Sequence, residues 1–168
     1  PPQQNIPPEE ILQKNGIEVR RAPYDQKNGQ TRTKHKIRRF FKILFGNPPI
    51  VDPIIENGMV VSYSSRYPSL VAPFLQSNHK KTHPVFRPIP TRIRRQIHLQ
   101  NLIRTLNKSV ANSSHAHLWA HLFDMANGYQ WPQIETFLEK LAERRDKGDV
   151  EILTMHELAG RKNKKSQI

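Results

Sequence analysis

The sequence predicts an α/β fold, layered or barrel-like, with parallel strands. Three observations predict it. The last third alternates strand, helix, strand and helix patterns, the order of a parallel sheet with helical crossovers. The chain has 168 residues, 36% of them hydrophobic, which suits a single domain with a proper core. It has no internal repeat, no cysteine for a disulfide framework, and no stretch near the roughly 20 apolar residues of a membrane span.

The elements follow in order. Pro7-Pro8-Glu9-Glu10 puts prolines and acids at the start of a short helix, and Gly16 fits its C-terminal cap. Ile17-Glu-Val-Arg20 alternates as a short strand, and residues 25–32 read as a polar loop. From Thr33 to Phe45, Ile37, Phe40, Phe41, Leu44 and Phe45 recur at helical spacing until Gly46-Asn-Pro-Pro49 stops them. Gly58–Ser64 reads as a strand. Five prolines over 65–90 predict a long irregular connection. Thr91 is the expected N-cap of a basic amphipathic helix whose stripe is Ile93, Ile97, Leu102, Ile103 and Leu106.

His115-Ala-His-Leu-Trp-Ala-His121 fits a buried strand, with a loop at Leu122–Asn127. Pro132 starts the clearest helix, with Ile134, Phe137, Leu138 and Leu141 on one face and Gly148 ending it. Val150–Thr154 reads as a final strand. Thr154-Met-His-Glu157 has the spacing of a capping box and predicts a last short helix. Residues 159–168 read as a basic, flexible tail.

The net charge of +13 is uneven. Residues 26–123 carry 16 bases against Asp52 and Glu56, while the two ends are nearly neutral. Two blocks dominate, Arg32–Arg39 with Lys42, and Arg92–Arg95 with Arg104 and Lys108. Such a field favours nucleic acid, anionic lipid or an acidic glycan, and it equally suits a solvated face. A basic nucleic-acid-binding module built on the helices around Ile37 and Ile97 is one reading. A membrane-surface helix at Ile37 is another.

The histidines carry the chemistry. His35, His79, His83 and His98 are scattered and read as surface residues. On a strand, His115, His117, Trp119 and His121 share one face, because side chains alternate. Imidazoles two apart can share a metal, or be satisfied core histidines. His121 falls at the C-terminal end of its strand, the end that carries ligands in parallel α/β folds. Asp124 and Asn127 are close enough in sequence to orient its ring or meet a ligand. No glycine-rich phosphate loop, Gly-x-Ser-x-Gly elbow or His-Glu-x-x-His helix is present.

Three stretches carry a resemblance: His115-Ala-His-Leu-Trp-Ala-His-Leu-Phe-Asp124, the helix ending Leu-Ala-Glu-Arg-Arg-Asp-Lys-Gly148, and Asp149-Val-Glu-Ile-Leu-Thr-Met155. Together they resemble the C-terminal part of polysaccharide deacetylases of the NodB-homology type. The start, Pro1-Pro-Gln-Gln-Asn5, a short helix and Asn15-Gly-Ile-Glu-Val-Arg20, looks like a middle segment of that domain. Residues 1–158 would then be the C-terminal portion of one such domain, a distorted (β/α) barrel whose N-terminal strands lie upstream of Pro1.

The resemblance implies a carbohydrate deacetylase that hydrolyses N-acetyl or O-acetyl groups with a divalent metal, zinc or similar. It places the metal ligands upstream of Pro1, so this chain alone is expected to be inactive and to hold no metal tightly. His121 matches the family's general acid, and an imidazole, titrating near ~6.5, suits protonation of a leaving amine. Trp119, Asp124 and Asn127 are expected to bind substrate. Arg21-Ala-Pro-Tyr24 resembles the family's Arg-x-Pro motif and adds Arg21 to that set. The expected partner is a carbohydrate, including an anionic glycan.

Overall fold

The computed structural model describes residues 7–23, 50–64, 69–78 and 80–165. The sequence-predicted loop at 25–32 and helix at Thr33–Phe45 lie outside them. Helix α1 (Glu9–Lys14) opens after extended Pro8 and holds Glu9 and Glu10 in its first turn, where the helix dipole favours acids. It ends in a Schellman turn. Gly16 takes φ +72°, its N–H donates to Gln13 O, and Ile17 N–H reaches back to Leu12 O.

Strand β1 (Val19–Pro23) follows, two residues later than the alternation suggested. Strand β2 (Ile54–Glu56) and strand β3 (Met59–Ser64) form a hairpin that the sequence reading overlooked. Its signal is Asn57-Gly58, whose φ of 50° and 76° match a turn with two left-handed residues. The sheet order is β1-β3-β2, with β1 parallel and β2 antiparallel to β3. Buried Met59, Val60 and Val61 make the central strand a continuous apolar run, as expected of a strand covered on both faces.

The connection through residues 69–90 has no strand or α-helix among its described residues, only a 3-10 turn at Pro84–Phe86. It nonetheless owns a core. Ala72, Phe74, Leu75 and Phe86 pack together, with the Phe74 and Phe86 rings 5.5 Å apart. Buried loop backbone needs partners, and three long side chains supply them. Gln130 accepts from Ala72 N–H at 3.0 Å and donates to Ala72 O and Gln76 O. Arg94 donates to Phe74 O, Ile89 O, Thr82 Oγ1 and Thr91 Oγ1. His98 Nε2–H donates to Ser69 O at 2.9 Å.

Those bonds rotate helix α2 (Thr91–Ala111) away from its expected face. Its buried positions are Arg94, His98, Asn101, Leu102, Thr105 and Leu106, while Ile93 is 48% exposed. Pro90 rather than Thr91 is the N-cap, because Thr91 Oγ1 serves Arg94. His98, expected at the surface, is fully buried. Helix α3 (Leu122–Met125) is a single turn within the expected loop. Helix α4 (Trp131–Asp146) packs on α2 through Phe137, Leu102 and Leu106. Of its expected stripe, Ile134 and Phe137 are buried and Leu138 is 39% exposed.

Residues 150–154 are not a strand. Val150 packs into the α2–α4 cluster and Leu153 against Val60, so the segment bridges two cores instead of joining a sheet edge. Helix α5 (Met155–Lys165) then covers the sheet, burying Leu158 and Ala159 against Val60. Its start is the expected capping box: Thr154 N–H donates to Glu157 Oε2 and Glu157 N–H to Thr154 Oγ1. Residues 159–165 are thus helical, where the sequence reading placed a tail. The architecture is mixed α/β, with a small mixed sheet and five helices among the described residues.

Candidate functional site

Register places the site. Arg21 stands opposite Ser62, so both side chains lie on one face of the parallel pair, one step before the strands end. Val19 and Val60 precede them on that face, under α5. The face is therefore apolar under the helix and polar at the C-terminal end of β1 and β3. β1 occupies one edge of β3 as far as Ser64, and His117 forms a parallel bridge to Ser64 on the other. The histidine segment thus sits on the same edge as β2, past its end. Asp52, just before β2, fixes it by accepting the His115 N–H at 2.8 Å.

Only that one bridge forms, so the segment is not the buried strand that the sequence suggested. Residues 115–120 are half-buried and His121 is exposed. The expected alternation still brings the odd-numbered side chains together. Ser62 Oγ lies 2.8 Å from His117 Nδ1 and 3.2 Å from His115 Nε2. A hydroxyl can accept from one ring and donate to the other, so Ser62 joins the two imidazoles. The Arg21 guanidinium lies 4.3 Å from the centre of the Trp119 ring, within cation–π range. Trp119 meets the His121 ring edge-on at 5.4 Å, and His121 stacks on Phe123 at 5.0 Å and 5°.

The electrostatics favour anions over cations. Burial first, then the neighbouring His115 and Arg21, lower the His117 pKa to about 4. Burial also lowers that of Arg21. His117 is therefore neutral near pH 7 beside a charged guanidinium. For a metal this is a poor place: two imidazoles converge on a hydroxyl, and no group of three or more ligating side chains exists among the described residues. The described residues do not form the site of a divalent metal.

Of the expected substrate-binding residues, Arg21 and Trp119 are brought together and His121 joins them. Asn127 is not part of the site. Its side chain donates to Asp124 O and accepts from the Tyr129 and Gln130 amides, which shapes the turn into α4. Asp124 meets His121 through the backbone, Asp124 N–H to His121 O at 3.0 Å. No hydrogen bond joins either side chain to the His121 ring among the described residues. Ser62 was missed; its signal is a serine inside the apolar run Met59-Val-Val-Ser62.

The basic helix is partly committed to structure. Arg94 is buried and bonded to the loop, and Arg95 donates to the Gly128 and Tyr129 carbonyls. No helix among the described residues is long and apolar enough to cross a membrane. Compared with known proteins, the chain matches no family model, no curated protein and no solved structure.

Proposed function

We propose that the chain belongs to a distorted (β/α) barrel of the polysaccharide deacetylase type and helps hydrolyse acetyl groups on a saccharide, with His121 as the general acid. One observation carries this reading. Arg21, Ser62, His115, His117, Trp119 and His121 gather at the C-terminal end of the parallel pair β1 and β3, where α/β folds carry ligands. His121 is the exposed member of that group. Its ring is held between the Trp119 edge and the Phe123 face, which fixes its plane while leaving it open to a ligand. In amide hydrolysis it would protonate the departing nitrogen, and Trp119 would form a wall of the pocket. No step is routed through a metal, because this chain's described residues do not make such a site.

The test is acetate release from N-acetylated oligosaccharides by the full-length protein. His121→Ala should lower turnover by ~10²–10⁴-fold with an unchanged circular dichroism spectrum. Unchanged turnover in the variant, or no acetate release by the parent, removes the reading.

A further inference from the structure

Arg21 holds an unusual position for a half-buried cation. Its guanidinium face rests on Trp119, and stacking through the face leaves the in-plane N–H donors available. No carboxylate pairs with it among the described residues, although the structure pairs Arg20 with both Glu9 and Glu56 one residue earlier. The carboxylate that touches the cluster, Asp52, accepts the His115 amide. Beside Arg21 stand two imidazoles, and His117 is kept neutral, so neither brings a compensating negative charge. Beyond Trp119 runs an open aromatic strip, His121 stacked on a Phe123 that is 51% exposed, with Leu122 81% exposed next to it.

We propose that Arg21 is a carboxylate-binding subsite and that the saccharide taken by this chain is acidic, a sugar bearing a carboxylate. The proposal deepens the deacetylase reading and rests on its assignment of a saccharide to this site. The guanidinium fork matches two carboxylate oxygens at once, a geometry that an ammonium cannot supply. The neutral imidazole edges of the cluster suit hydroxyls. The exposed His121–Phe123 strip suits the apolar face of a sugar ring. Together these read a molecule that is apolar on one face, hydroxylated at its edge and anionic at one point, which describes a uronic-type sugar better than a bare polyanion.

The experiment uses the full-length protein and three probes: partly N-acetylated oligosaccharides, polygalacturonate oligomers of matched length, and sodium polyphosphate. Binding is read by calorimetry at physiological salt. Polygalacturonate should bind at least ~10-fold more tightly than the neutral oligomer, the scale of one bidentate charge-assisted contact. Arg21→Gln should erase that preference and leave polyphosphate binding unchanged. Arg21→Lys keeps a cation over the ring, so it guards against a folding defect, and it should still lose most of the preference. Equal binding of both oligosaccharides by the parent, or a preference that survives both variants, overturns the proposal. So does full competition by polyphosphate, which would reveal only the general basic field. Acetate release is measured in parallel on neutral substrate. Release without carboxylate preference sinks the subsite alone, whereas preference without release sinks the hydrolase reading alone.

Discussion

Arg94 and Phe74 are joined by one hydrogen bond, from Nη1 to the carbonyl oxygen at 2.6 Å, and through it the first turn of α2 holds the long connection in place. The same guanidinium bonds Ile89 O, Thr82 Oγ1 and Thr91 Oγ1. It is a buried arginine used as a loop organiser, with no acidic partner among the described residues.

Removing it would strand several buried acceptors at once. Arg94→Met, which keeps the stem and deletes the donors, should destabilise the protein by about 3 kcal/mol or more. Urea unfolding checks this. A loss under about 1 kcal/mol would mean that water replaces the guanidinium freely.

His98 makes stability depend on pH. Burial lowers its pKa to about 4, against an unfolded value near 6.5. Between those values the unfolded chain binds more protons than the folded one, so stability rises with pH through that window and is flat above it. The contribution approaches about 3 kcal/mol at full development. His117, also lowered to about 4, adds a smaller term because it is only half-buried. The unfolding free energy of His98→Gln should lose most of the slope between pH 4 and 6.5. An unaltered slope contradicts the burial argument.

The capping box gives a local test. Thr154→Ala removes the Oγ1 that accepts Glu157 N–H and donates to Glu157 Oε2. Loss of such a cap costs about 1 kcal/mol. Because α5 buries Leu158 and Ala159 against the sheet, the loss should register in global unfolding and not only in helix fraying. Glu157→Gln, which can keep the reciprocal bond, should cost less than the threonine variant.

Metal analysis separates the imidazole pair from a true centre. Equilibrium dialysis of this chain should find no stoichiometric zinc at micromolar metal. One tight zinc per chain, lost on replacing His115 and His117, would instead define a histidine site that Ser62 currently occupies.

Much of this architecture could be read before any coordinates. Gly16 and Gly148 end helices as their backbone freedom requires, Pro132 opens α4, and Thr154 with Glu157 opens α5. The site was legible where alternation alone decides it: His115, His117 and Trp119 face the same way. What was not legible depends on partners far away in sequence. The face of α2 follows the needs of buried carbonyls at Ser69, Phe74 and Ile89, so polar residues went in where periodicity favoured Ile93. Val150–Thr154 has strand-like composition, yet its apolar side chains serve two separate clusters. Ser62 gains meaning only from register with Arg21 and from the bridge at Ser64.

Gln130 bonds both the N–H and the C=O of Ala72, the same pair that an adjacent β-strand would satisfy. One carboxamide thus acts as a surrogate strand for a stretch that has no regular structure. Chain length should therefore be constrained unevenly along this connection. Extra residues spliced in near Lys80–Lys81, both exposed, should be accommodated, whereas the same splice between Ala72 and Gln76 would pull the backbone off its single-residue template.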